Sequence, residues 1–379
     1  MTFLVFVVAS TLFVAYANGA NDNFKGVATL FGSGTTDYRK ALTWATIATF
    51  LGSLSAFFLA EKLVKTFSGK GLVPTVVIED PIFMVAVILG AGLTVFIATK
   101  TGIPISTTHS LTGALVGAGL FAVGNELQFA VLGKKFLLPL MVSPVLAVII
   151  TVTIYPIFRK IRELTGVKKS TCICVGEKQI PVEAGMVQNG VLTASQLKEL
   201  DVIVDEEEAC KAKSIEVYDG HLFGVHAQRI LDFFHFLSAG AVCFARGLND
   251  TPKIVALAVA AGLFGLHWNI TLVALAMIVG GIISAKRVAH TMSLKITRMN
   301  HGQGFSANLV TAFLVIVASR MGVPVSTTHV SCGSLFGLGA VTGGARWKTI
   351  GGIFSAWVLT LPIAAVIAAS AFFLLKILF

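Results

Sequence analysis

Two short polar strings each occur twice in this chain, in the same order and within a largely apolar sequence. Gly19-Ala20-Asn21-Asp22-Asn23-Phe24-Lys25 returns as Gly247-Leu248-Asn249-Asp250-Thr251-Pro252-Lys253. Gly102-Ile103-Pro104-Ile105-Ser106-Thr107-Thr108-His109 returns as Gly322-Val323-Pro324-Val325-Ser326-Thr327-Thr328-His329. The separation between copies is nearly the same for both strings, so the chain is built from two related halves. A polar string inside an apolar run is costly, and a duplicated one points to the binding site of a transporter.

Hydrophobic residues make up 55% of the chain and charged residues 13%. That balance excludes an ordinary soluble enzyme and predicts several membrane spans. The net charge of +10 does not signal nucleic acid, because no basic stripe with interleaved aromatics is present. Residues 159–229 hold 11 of the 19 acids. Outside them, Asp37, Glu61, Glu79, Asp80, Glu126 and Asp232 lie near the ends of apolar runs. The remaining two acids are the duplicated pair, Asp22 and Asp250. A carboxylate at mid-membrane costs about 2.5–3.5 kcal/mol, so two at equivalent positions read as cation ligands.

Apolar segments run over about 1–18, 41–60, 81–99, 103–123 and 136–158, then over 230–245, 253–267, 268–285, 305–319, 323–342 and 350–377. Residues 1–20 are expected to be a retained membrane segment, since no Lys or Arg precedes their apolar run. The expected organisation is a first membrane repeat (1–158), a soluble insert (159–229) and a second membrane repeat (230–379). Trp44 pairs with Trp268, Gly113–Gly119 with Gly333–Gly339, and Ser143-Pro144 with Leu361-Pro362. If each half crosses the membrane an odd number of times, the two are inverted. The expected fold is thus an all-α polytopic membrane protein of two inverted-topology repeats with re-entrant hairpins. In the insert, 171–176 alternate like a strand and 195–213 read as a helix. Arg159, Lys160, Arg162, Lys168 and Lys169 place the insert in the cytoplasm. Five cysteines do not make a disulfide framework, and Cys172, Cys174, Cys210, His221 and His226 match no common zinc spacing.

Gly-x-Pro-x-Ser-Thr-Thr-His has the parts of a break followed by a new helix. Gly permits the turn, Pro fixes φ, and Ser caps the helix. The free N–H groups of such a terminus favour an anion, and two of them could clamp one tetrahedral oxyanion. Asn-Asp supplies the oxygens that hard cations prefer. A cation between Asp22 and Asp250 would favour the anion, which couples the two. Lys25 and Lys253 could face the anion, and they read at least as well as snorkelling anchors. His109 and His329 are expected to hydrogen-bond their own hairpins. Arg246 and Arg320 read as gate or entrance charges.

At these motifs the chain resembles the inorganic phosphate transporter family, whose members are sodium- or proton-coupled permeases. The match covers both membrane halves. It implies an inverted repeat with two hairpins meeting at the substrate. Phosphate would lie on Ser106, Thr107, Thr108, Ser326, Thr327 and Thr328, and sodium on Asn21, Asp22, Asn249 and Asp250. The sequence departs from the commonest family pattern at Asn23-Phe24-Lys25-Gly26, where small residues are usual. The resulting expectation is a sodium–phosphate symporter of the plasma membrane that is not an enzyme, with sodium as coupling ion, no other cofactor, and pairing into a homodimer. The competing readings are a proton-coupled phosphate or sulfate permease, a cation/proton exchanger and an anion channel. An intramembrane hydrolase lacks a complete nucleophile-base-orienter set.

Overall fold

A computed structural model describes residues 2–59, 61–69, 71–166, 171–179, 198–206, 223–260 and 265–379. They form two compact units, one of residues 1–156 with 235–379 and one of residues 157–234. The first unit carries the duplicated motifs.

Its first half comprises α1 (Thr2–Asp22), α2 (Ala28–Gly32), α3 (Tyr38–Leu59), α4 (Glu61–Phe67), α5 (Thr75–Ile78), α6 (Pro81–Thr101), α7 (Thr107–Val123), α8 (Phe129–Val131) and α9 (Leu138–Leu164). The second half comprises α10 (Ala227–Ala260), α11 (Leu266–Ser284), α12 (Lys286–His290), α13 (His301–Met321), α14 (Thr327–Thr342) and α15 (Trp347–Leu378). Among the described residues, eight helices are long and apolar enough to cross a membrane. Leu51, Ile149, Ile283 and Val366 stay exposed on such helices, as lipid-facing side chains do. The apolar runs 230–245 and 253–267 were expected to be separate segments. Residues 227–260 instead form the single helix α10, which passes through the second Asn-Asp motif and Pro252.

Both breaks are built as their sequences predict. Asp80 caps α6 through Ile82 N–H, with Pro81 opening the helix, and Gly102 ends it at φ 73°. An extended segment follows, and Ser106 then caps α7. In the second half, Asn300 and Gln303 form a capping box on α13, Gly322 ends it at φ 75°, and Ser326 caps α14.

The halves interlock. A Cβ placed on Gly19 of α1 would meet the Met277 carbonyl oxygen of α11 at 1.9 Å, and one on Gly247 of α10 would meet the Thr49 oxygen of α3 at 2.2 Å. Gly52 lies likewise on Phe244, and Gly280 on Tyr16. These four contacts are reciprocal in one register: Gly19 is equivalent to Gly247, Thr49 to Met277, Gly52 to Gly280 and Tyr16 to Phe244. In a membrane, small residues that let backbones touch are the main helix-packing device. The same register pairs Trp44 with Leu272, one turn away from Trp268. The two tryptophans therefore do not correspond: Trp44 is half-buried and donates to the Phe236 carbonyl, while Trp268 is exposed. The hairpin helices also cross between halves. Gly113 and Gly117 of α7 lie on α15, and Gly333 and Gly337 of α14 lie on α9.

The second unit contains a sheet of order β2-β1-β3, with β1 at Thr171–Gln179, β2 at Lys198–Glu206 and β3 at Phe223–His226. The expected helix over 195–213 is overturned at 198–206, which pairs antiparallel with β1, Cys174 opposite Ile203. The reason is the alternation of Leu200, Val202 and Val204 with acids and Ile203, a period of two and not of 3.6. Cys210, His221 and the side chains of Cys172, Cys174 and His226 lie outside the described residues, and with them the weighed metal cluster.

Candidate functional site

The extended segments 103–106 and 323–326 and the helix starts after them meet at the centre of the first unit. Ser106 and Ser326 each accept from a backbone N–H three residues on, that of His109 at 3.0 Å and that of His329 at 3.1 Å. Each following threonine reaches across. Thr108 Oγ1 donates to the Val325 carbonyl at 3.2 Å, and Thr328 Oγ1 donates to the Ile105 carbonyl at 2.9 Å. The structure thus brings all six hairpin hydroxyls of 106–108 and 326–328 together, every one buried. Thr107 approaches the first-half carboxylate, 3.5 Å from Asp22 Oδ2, and Thr327 accepts from Asn249 at 3.1 Å.

The two asparagines of the Asn-Asp motifs pin the hairpins. Asn21 donates to Thr99 and to the Ile103 carbonyl and accepts from Ile105 N–H. Asn249 donates to the Val325 carbonyl and to Thr327 and accepts from Ser319. Thr99 and Ser319 occupy equivalent positions, in the last turn before Gly102 and Gly322. The asparagine amides are satisfied by these bonds, as buried polar groups require.

The charges differ from expectation. Lys25 and Lys253 are fully buried, so the snorkelling reading is overturned. Each ammonium instead meets hairpin oxygens. Lys25 Nζ lies 2.5 Å from Asp22 Oδ1 and donates to Asn21 Oδ1 at 2.8 Å, the Ile105 carbonyl at 2.8 Å and Thr328 Oγ1 at 2.6 Å. Lys253 Nζ donates to Thr108 Oγ1 at 2.7 Å and the Val325 carbonyl at 2.8 Å and lies 3.6 Å from Asp250 Oδ1. Each lysine therefore binds the hairpin of the opposite half or bridges to its threonine.

Arg246 is no gate charge at the surface either. It is fully buried, donates to Asn18 Oδ1 at 2.7 Å and Asn23 Oδ1 at 3.0 Å, and holds Nε 3.8 Å from Asp250. Asn18 in turn donates to Asp250 at 3.2 Å and to Thr107 at 2.9 Å. Asp22, Asp250, Lys25, Lys253 and Arg246 are the buried charged side chains among the described residues, histidines apart. Three cations face two carboxylates, so this cluster already carries a formal +1. Arg320 is exposed.

The histidine rings do not simply bond their hairpins. The His109 and His329 rings lie 4.3 Å apart, and Trp357 stacks on His329 at 3.9 Å while donating to the Pro104 carbonyl. Among the described residues, His109 Nδ1 and His329 Nε2 have no hydrogen-bond partner. Beside Gly102 lies a cavity of about 850 Å³ lined by Tyr38, Arg39, Arg287, His290 and Lys295. Asp37 lines it too, its carboxyl held below the ordinary value by the Lys40 backbone N–H 2.9 Å away.

Sequence reasoning missed Asn18, Trp357 and the depth of Arg246. The legible signal was spacing: Lys follows Asp by three residues in both halves, and Arg246 precedes Asp250 by four. Trp357 lies far from both motifs and left no trace.

The model of the phosphate transporter family matches residues 18–368. A putative phosphate permease of Pyrococcus abyssi is 28% identical over 97% of this chain and 96% of its own length. A probable low-affinity inorganic phosphate transporter of Rhizobium meliloti is 27% identical over 98% and 96%. The chloroplastic inorganic phosphate transporter 2-1 of Arabidopsis thaliana is 25% identical over 94% of this chain and 69% of its own length. A solved structure titled the sodium-dependent phosphate transporter superposes with a TM-score of 0.75 over the whole of both chains, at 22% identity. At that identity it speaks for the fold.

Proposed function

Because this chain belongs to the phosphate transporter family, a family of multi-pass membrane carriers and not of enzymes, we propose that it moves inorganic phosphate by alternating access between its two hairpins. The observation that carries this reading is the meeting of two Ser-capped helix starts across a buried cluster of net charge +1. Two helix N-termini and an excess of buried cations both favour an oxyanion. Ser106, Thr107, Thr108, Ser326, Thr327 and Thr328 supply the hydroxyls that would orient it.

If α6–α7 and α13–α14 each enter and leave on one side, each half crosses three times, which inverts one half relative to the other. The basic residues Arg159, Lys160, Arg162, Lys168 and Lys169 support a cytoplasmic insert, and the carrier would be a plasma-membrane protein. Pairing into a homodimer is part of the same proposal.

Sodium on Asn21, Asp22, Asn249 and Asp250 is the remaining piece, and the donor atoms do not fit it. Asn21 Oδ1, Asp22 Oδ1 and Asp250 Oδ1 face lysine ammoniums. That observation favours a second reading in which phosphate moves without sodium on the Asn-Asp motifs.

Uptake of radiolabelled phosphate into proteoliposomes tests the substrate. Saturable uptake that sulfate does not suppress is expected. Sulfate outcompeting phosphate would keep the machine and change the anion.

A further inference from the structure

We propose that Lys25 and Lys253 are tethered cations occupying the two seats that sodium would take on the Asn-Asp motifs, so that phosphate transport by this chain requires no sodium there. This rests on the phosphate reading for the cargo and on geometry for the seats.

The Lys25 seat is made of a carboxylate oxygen of Asp22, the amide oxygen of Asn21, the Ile105 carbonyl and the Thr328 hydroxyl, all within 2.8 Å of Nζ. These are the oxygen donors that hard cations take. An ammonium meets the same four oxygens with three N–H donors, one of them shared between two oxygens. The Lys253 seat shares the hairpin part of the pattern, the Val325 carbonyl and the Thr108 hydroxyl, with the Asp250 carboxylate at 3.6 Å; Asn249 Oδ1 accepts from Ser319 instead, and the ammonium lies 5.6 Å from the centre of the Phe67 ring. Ile105 and Val325, and likewise Thr108 and Thr328, are equivalent positions in the two hairpin strings. Two seats with equivalent hairpin donors and one lysine each are not a single accidental ion pair.

A second cation would have to share these oxygens with an ammonium in a buried, low-dielectric setting, where like charges repel strongly. The lysines already perform what sodium would do electrostatically. They offset Asp22 and Asp250, which would otherwise repel the anion, and with Arg246 they leave the cluster positive. They differ from sodium in one respect. A tethered cation returns with the protein and never leaves on the far side, so these seats transfer no energy from a sodium gradient. Each lysine also touches the threonine of the other half, so the cation that balances the anion also ties together the two parts that must separate during access.

The test uses the full chain in two measurements. Phosphate uptake is compared in sodium and in choline at one pH, for wild type, Lys25→Ala and Lys253→Ala. Thermal unfolding of the purified protein is compared in sodium chloride and choline chloride. Wild-type uptake and midpoint are expected to be the same in both salts. Each alanine variant should lose uptake by more than about tenfold in choline, because a buried carboxylate loses its partner. Sodium should restore part of that uptake and raise the variant's unfolding midpoint, while choline does neither.

Sodium-dependent wild-type uptake, or a sodium-specific rise in wild-type midpoint, overturns the proposal. Loss of uptake that sodium does not repair, without sodium-specific stabilisation, reduces the lysines to structural ties and overturns it as well. If a variant fails to fold, the wild-type salt comparison decides. Absence of phosphate uptake in either salt would sink the transport reading instead, and the unfolding comparison would still decide the seats.

Discussion

The two copies of Asn-Asp-x-x-Lys share a sequence pattern and differ in how tightly they hold their lysine. Lys25 sits 2.5 Å from Asp22, whereas Lys253 sits 3.6 Å from Asp250. Helix geometry accounts for the difference. α1 ends at Asp22, so Lys25 lies just beyond a helix C-terminus, where the dipole favours a cation. α10 runs on to Ala260, so Lys253 has no such terminus beside it. Asp250 is compensated instead by a residue the first half lacks, Arg246, and by Asn18 at the position equivalent to that arginine. Duplication thus preserved the seats while the charge around them diverged.

The sharpest way to break this comparison is to remove the odd cation. Arg246→Met should destabilise the protein by about 3–5 kcal/mol, since a buried ion cluster loses one member. Asn18→Ala should cost only about 1–3 kcal/mol, as a neutral partner does. Chemical unfolding in detergent measures both. Equal losses would mean that the halves are balanced electrostatically after all.

Next come the helix crossings. A Cβ on Gly117 would meet the Ala365 oxygen at 2.0 Å, while one on Gly337 would meet the Val148 oxygen at 2.8 Å. Gly117→Ala should therefore destabilise by about 1–3 kcal/mol and Gly337→Ala by less. Unfolding midpoints of the two variants check the order. A reversed order would show that α14 is the more tightly packed hairpin helix.

The hydroxyls give a smaller effect. Thr328→Val and Thr108→Val should each weaken apparent phosphate affinity by about tenfold, the cost of one buried hydrogen-bonding group. Thr328 should lose more, because its bonds to Lys25 and Ile105 are shorter than those of Thr108 to Lys253 and Val325. Concentration dependence of uptake separates them, and unchanged affinity in both would remove the hairpins from the site.

The smallest effect belongs to Trp357→Leu. It removes the stacking on His329, worth about 0.5–1.5 kcal/mol, and the bond to Pro104. A small loss of stability with uptake preserved is expected. Abolished uptake in a folded variant would make this one-sided ring part of the transport step.

Much of this site was legible before any coordinates. The caps Ser106 and Ser326 and the terminating Gly102 and Gly322 follow from local chemistry that a short string contains. The fate of Lys25 and Lys253 was not legible. A lysine three residues after an aspartate can snorkel outward or turn inward, and only the opposing hairpin decides. The tryptophan pairing failed for a related reason: correspondence between halves is set by which backbones touch, and glycines made those contacts. In the insert, the alternation of Leu200, Val202 and Val204 was there to be read, and pairing with β1 realises it as β2.

The sequence by itself determined the membrane class, the duplication, the two helix breaks and the family, because these depend on local hydropathy, capping residues and repeated strings. Only the tertiary structure decided that the lysines turn inward onto Asp22, Asn21 and Asp250, that Arg246 is buried and that each half's lysine binds the other half's threonine. Those contacts join positions far apart in the chain, and their partners are chosen by the crossing of helices and not by any neighbour in the sequence.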